Sequence, residues 1–128
     1  MYKFEVMYGE SDQEKSFTTI SEIEFELAQL KDEIDYDLQF TITPPMENVD
    51  GIYVGNSSYY KGIFKKTLIR QYFVSINLLC PDGDKDYDTF MHDFDEVKEM
   101  IRNFITARKL PDYSGWDWEY ADDEEDDE

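Results

Sequence analysis

A chain of 128 residues can bury one core without metal or disulfide staples, and 41% hydrophobic with 16% aromatic content excludes a wholly disordered protein. Its 31 acids against 12 bases give a net charge of −19, which repels nucleic acid and anionic membranes and attracts basic surfaces. The single Cys80 excludes an internal disulfide, the start carries no basic leader, and no apolar run approaches the roughly 20 residues of a bilayer span, so a cytoplasmic protein is expected.

Tyr2, Phe4, Val6 and Tyr8 alternate with Lys3, Glu5 and Met7, the period of two that marks a half-buried strand. Gly9 to Gln13 reads as a turn and Lys15 to Thr19 as a short second strand. Ser21 and Glu24 have the spacing of a capping box, with Ile20 and Phe25 at the two positions of a hydrophobic staple. Ile20, Ile23, Leu27, Leu30 and Ile34 then recur at helical spacing, predicting one apolar stripe on a helix that ends near Glu33.

Tyr36, Leu38, Phe40 and Ile42 alternate with polar neighbours and predict a strand stopped by Pro44 and Pro45, which cannot donate to a ladder. Gly51 to Gly55 is a short strand candidate, Asn56 to Tyr60 is turn-like, and Gly62 to Cys80 reads as a broken strand followed by a longer central one. Pro81, Asp82, Gly83 and Asp84 form a turn, with Tyr87 to Met91 as the returning hairpin partner. Asp93 and Glu96 cap a second helix, in which Phe94, Val97, Ile101, Phe104 and Arg108 continue at helical spacing, and Pro111 follows soon after.

This order predicts an α+β fold: a single domain with an antiparallel sheet of about four to six strands and two helices on one face. The domain spans 1–111, and 112–128 forms an aromatic-acidic C-terminal arm. Within the arm Trp116, Trp118 and Tyr120 alternate with Asp117 and Glu119, the pattern of an edge strand, before the acidic run Asp122, Asp123, Glu124, Glu125, Asp126, Asp127 and Glu128. Trp and Tyr are also common interface anchors, so the arm doubles as a docking segment.

The arm carries ten acids and no base, which leaves the preceding body with 21 acids and 12 bases. Negative surface is therefore expected on the body as well. Lys61, Lys65, Lys66 and Arg70 gather in one segment, which leaves the remaining surface more acidic than the average.

No residue stands out for catalysis. Cys80 and His92 are the sole thiol and imidazole, but a cysteine ending an apolar strand is usually a small buried hydrophobe. Asp82, Asp84, Asp86 and Asp88 superficially resemble a calcium loop, but position six is Tyr87 instead of glycine and position twelve is Asp93. With one Cys and one His there is no zinc-ligand spacing, and no glycine-rich phosphate loop occurs. Neither a cofactor nor an enzyme activity is expected.

The reading that remains is a binder of basic proteins. Nucleic-acid binding is dominated by phosphate contacts to Lys and Arg, and carboxylates on a rigid fold can take the same contacts. Acids at alternate strand positions repeat every ~6.7 Å, comparable to phosphates along a strand, and Asp82, Asp84, Asp86 and Asp88 fit such a row. In size, acidity and acidic terminus the chain resembles phage-encoded DNA mimics of the antirestriction and anti-CRISPR kind. That resemblance implies an inhibitor seated in the basic cleft of a nucleic-acid-binding enzyme. The alternative is an immunity protein or antitoxin that neutralises a basic toxin such as a nuclease. Partner-binding residues are expected at Asp82, Asp84, Asp86, Asp88 and from Trp116 through Tyr120 into the acidic tail.

Overall fold

A computed structural model describes residues 3–8, 14–43 and 46–121. Seven antiparallel strands form the main sheet: β1 (Lys3–Tyr8), β2 (Glu14–Phe17), β3 (Asp37–Thr43), β4 (Val49–Asn56), β7 (Tyr72–Leu78), β8 (Lys85–Met91) and β9 (Asp117–Tyr120). Their spatial order is β2-β1-β3-β4-β7-β8-β9. Two short strands, β5 (Tyr59–Lys61) and β6 (Thr67–Ile69), pair apart from it as a separate hairpin. Two helices, α1 (Glu24–Asp32) and α2 (Phe94–Ala107), complete the α+β architecture. The short strand expected near Lys15–Thr19 and the edge strand expected in the C-terminal arm both join the main sheet, as β2 and β9 at its two edges.

The register explains how one face becomes the core. Val6 pairs with Phe40, Phe40 with Ile52, Ile52 with Ile76 and Ile76 with Tyr87, so one row of apolar residues crosses five strands. Leu38, Val54 and Val74 form the next row. Because alternate residues point to opposite faces, all of these lie on the same side. Both helices supply the other half of the core, with Leu27 and Leu30 from α1 and Val97, Met100, Ile101, Phe104 and Ile105 from α2. Each such side chain, fully buried, contributes about 1.5–3 kcal/mol.

Several local readings shift. The helical segment starts with a single 3-10 turn, Ile20–Ile23, and its cap is Thr19 with Glu22, two residues before the Ser21–Glu24 pair that has the same spacing. The Glu22 carboxylate accepts from the Thr18 and Thr19 N–H groups at 2.9 Å each. Phe25 is 69% exposed and forms no staple. Tyr59 and Tyr60, expected in a turn, lie on β5. The second helix stops at Ala107, since Arg108 adopts a left-handed conformation with φ of 54°.

Asn56 ties helix to sheet. This buried residue at the end of β4 donates to the Leu30 carbonyl of α1 at 2.9 Å and accepts from the Ser58 N–H at 3.0 Å. An orphan carbonyl of the last helical turn is thereby satisfied. Among the described residues no helix is long and apolar enough to cross a membrane.

Candidate functional site

The residues that alternate with the core set lie on the second face of the sheet, away from both helices. On β3 they are Asp37, Gln39 and Thr41, and on β4 Gly51, Tyr53 and Gly55. On β7 they are Phe73, Ser75 and Asn77, on β8 Asp86, Asp88 and Phe90, and on β9 Asp117 and Glu119. These fourteen positions hold five carboxylates and no Lys or Arg. Across β3 to β9 the face is therefore an anionic field with no base among these positions.

Four of the five carboxylates form a block at one end. Asp86 is the direct partner of Glu119, and Asp88 is the direct partner of Asp117. Like charges placed opposite one another cost about 0.2–1 kcal/mol per pair. Asp88 registers this most strongly. Burial pushes its carboxyl above the usual range, and Asp86 and Asp117 push it further, while a hydrogen bond from Ser75 works the other way. Its Oδ1 is buried and has no hydrogen-bond partner among the described residues.

Two of the acids, Asp86 and Asp37, are held by neighbouring side chains. Gln39 Nε2 donates to Asn77 Oδ1 at 3.2 Å, and Asn77 Nδ2 donates to Asp86 Oδ1 at 2.9 Å, an amide relay running from β3 to β8. Gly51 on the intervening strand makes room for it, since a Cβ there would sit 2.8 Å from Gln39 Nε2 and 2.5 Å from the Phe40 carbonyl oxygen. Tyr53 donates its hydroxyl to Asp37 Oδ2 at 2.7 Å. Burial and that hydrogen bond raise the phenol well above its ordinary titration range. Fixed carboxylates bind without first paying the entropy of ordering.

Aromatic rings border the acids. Tyr53 and Phe73 meet edge to face with centroids 6.2 Å apart, and Phe73 meets Phe90 in the same way at 5.4 Å. Phe90 is half exposed. A groove of about 330 Å³ runs between this strip and the block, lined by Phe73, Asp88, Phe90, Trp116 and Asp117.

The structure divides the expected binding residues. Asp86, Asp88, Asp117 and Glu119 converge on the open face. Asp82 and Asp84 do not continue the row, because both lie outside β8: Asp82 sits in the preceding turn, 3.8 Å from Lys85 Nζ, and the Asp84 carbonyl accepts from the Ala121 N–H. Trp118 and Tyr120 occupy the opposite side of β9, where Lys85 Nζ lies 4.6 Å from the Trp118 ring centroid. Trp116 packs against the core beside Tyr113. The tail from Asp122 through Asp123, Glu124, Glu125, Asp126 and Asp127 to Glu128 lies outside the described residues.

Cys80 and His92 belong to opposite ends of the β7–β8 ladder, separated by seven paired positions and so by roughly 20 Å. They form no catalytic pair. Among the described residues no group of three or more His, Cys, Asp or Glu is arranged to hold a metal ion, the Asp82–Asp93 segment included. Asp37, Tyr53, Phe73 and Phe90 were missing from the expected site. Their alternation against the core residues of β3, β4, β7 and β8 was the available signal. No protein-family profile, no curated protein and no solved structure matches this chain.

Proposed function

We propose that this protein is an acidic inhibitor whose open sheet face occupies the basic nucleic-acid-binding cleft of an enzyme as a DNA or RNA mimic. The single observation that carries this reading is the block of paired carboxylates, Asp86 with Glu119 and Asp88 with Asp117, on a stretch of the open face from β3 to β9 that holds no Lys or Arg. Neighbouring acids along each strand repeat every ~6.7 Å, and the two strands lie about 4.8 Å apart. The result is a short double row of anions with phosphate-like spacing. A cleft built of Lys and Arg to release counterions from phosphates would accept it on the same terms. The cross-strand repulsion costs stability, which a purely structural sheet would have no reason to carry.

The strip of half-buried Tyr53 and Phe73 with exposed Phe90 favours a second reading, an immunity protein or antitoxin that captures a basic toxin. Apolar anchors beside a charged field fit a protein surface, with steering from the acids and specificity from the rings.

The test is capture from a host lysate on the immobilised chain, alongside the variant Asp86→Asn/Asp88→Asn/Asp117→Asn/Glu119→Gln. Mimicry requires recovery of nucleic-acid enzymes that duplex DNA or RNA competes off and that the neutralised variant fails to capture. One toxin retained in the presence of nucleic acid would select the immunity reading. Capture equal on wild type and variant would overturn both.

A further inference from the structure

The β5–β6 hairpin has the opposite character to the rest of the molecule. Its tip exposes Ile63 at 86% and Phe64 at 100%, flanked by the exposed Lys61, Lys65 and Lys66. Gly62 turns the chain there with φ of 123°, a conformation costly for other residues. A fully exposed Phe between lysines is a costly ornament for an isolated chain, and an apolar-basic finger needs an apolar pocket with an acidic rim.

The protein carries such a pocket. A shallow groove of about 460 Å³ is floored by Met91, Met100 and Pro111 and rimmed by Asp95, Glu96 and Glu99. Methionines adapt to an inserted ring and make favourable sulfur–aromatic contacts. Arg102 already holds Glu99 at 2.8 Å, whereas Asp95 and Glu96 make no ion pair among the described residues. The lysines of the hairpin complement those two charges.

Finger and groove lie at the same end of the molecule. His92 Nδ1 is 3.2 Å from the carbonyl oxygen of Arg70, the residue after β6, and His92 directly follows Met91 of the groove floor. Tyr72, two residues past Arg70, pairs with Met91 itself. The hairpin extends about 14 Å from Tyr59 to its tip, which gives Phe64 the reach to enter a groove on a facing copy. Two copies facing each other about a two-fold axis can each place the finger in the other's groove, the commonest symmetry of homo-oligomers.

We propose that the chain forms a two-fold dimer by reciprocal hairpin exchange. Phe64 enters the Met91–Met100–Pro111 groove of the partner copy, and Lys65 and Lys66 reach its Asp95 and Glu96. The net charge of −19 repels the copies at long range. At physiological ionic strength that repulsion is screened beyond ~8 Å, so contact charges decide. The dimer is independent of the acidic sheet face.

The experiment is sedimentation equilibrium on the full chain at physiological salt. Wild type is expected to dimerise with a micromolar Kd. Phe64→Ser is expected to weaken dimerisation by about 30-fold, as loss of an interface anchor does. Lys65→Glu/Lys66→Glu alone and Asp95→Lys/Glu96→Lys alone are each expected to be monomeric, because like charges then meet. Mixed together, they are expected to form a heterodimer in which every finger again meets a groove of opposite sign. Circular dichroism checks that the Asp95→Lys/Glu96→Lys chain folds. The exposed hairpin variants carry the test if it does not. A wild type that stays monomeric, a dimer indifferent to the Phe64 and lysine changes, or folded variants that do not pair in the mixture would each overturn the proposal. A monomer whose Phe64 instead drives binding to phosphatidylserine vesicles would overturn it too and assign the finger to a lipid surface.

Discussion

Asp88 of β8 stands directly opposite Asp117 of β9, and neither forms an ion pair among the described residues. Removing either charge should relieve the repulsion. Asp88→Asn keeps the size of the side chain and its hydrogen-bonding reach to Ser75, and is expected to stabilise the fold by about 1 kcal/mol. That corresponds to a rise in Tm of about 4 °C for a domain of this size. The same substitution is expected to weaken capture of a basic partner. A fall in Tm would show that the carboxylate is needed by the fold and would remove the argument for a cost borne for binding.

The raised pKa of Asp88 gives a pH signature with a definite sign. Its folded state holds the proton to higher pH than the unfolded chain, so the native protein binds more protons between the two values. The Asp88 contribution to stability is therefore fully present below the unfolded carboxyl value of about 3.9 and is lost as pH rises through the folded one. Glu22 and Asp112 act in the opposite sense. Backbone hydrogen bonds from Thr18 and Thr19 hold Glu22 low, and the Ser114 hydroxyl and then its N–H hold Asp112 low, so their support is lost on acidification. Thermal melts of wild type and Asp88→Asn should diverge most near neutrality and converge toward pH 4. A gap that widens on acidification would contradict the assignment.

How much of this arrangement the sequence carries depends on whether a signal is local. The apolar periodicity of Ile23, Leu27 and Leu30, and of Val97, Ile101 and Phe104, announces both helices, because burial of one face dictates the spacing. The cap of the first helix is ambiguous at that level: Thr19–Glu22 and Ser21–Glu24 have the same pattern, and the intervening 3-10 turn decides between them. Tyr59 to Lys61 carries no apolar alternation, since its strand pairs only with β6 and buries neither face. The acidic block was half legible. Asp86 and Asp88, and Asp117 and Glu119, each alternate within their own strand, but pairing across a separation of about thirty residues is set by register and not by local pattern.

Gly51 gives a test of the relay beneath the acids. A Cβ at this position meets the Phe40 carbonyl oxygen at 2.5 Å and Gln39 Nε2 at 2.8 Å. The side-chain amide can swing away, but the backbone carbonyl of the neighbouring strand cannot. Gly51→Ala is therefore expected to destabilise by about 1–3 kcal/mol through overpacking. It should also separate Gln39 from Asn77 and free Asp86 from its donor. Denaturant unfolding measures the first effect. Side-chain amide resonances of Gln39 and Asn77 report the second, and their persistence at wild-type positions would refute the steric role given to this glycine.

Asn56 provides the contrasting case, a polar residue that matters for the fold and not for the acidic face. Its amide satisfies the Leu30 carbonyl of α1, and its carbonyl oxygen accepts from Ser58. Asn56→Ala leaves both groups without these partners in a buried setting and is expected to cost about 2–3 kcal/mol. Tm should fall by about 10 °C. Below that melting temperature, binding of a basic partner should match wild type, because Asp86, Asp88, Asp117 and Glu119 sit on the other side of the sheet. Asp88→Asn is expected to give the reverse, a stabler protein that binds less well. The two variants together separate loss of fold from loss of function: equal loss of binding in both would mean that the acidic face acts only through overall stability.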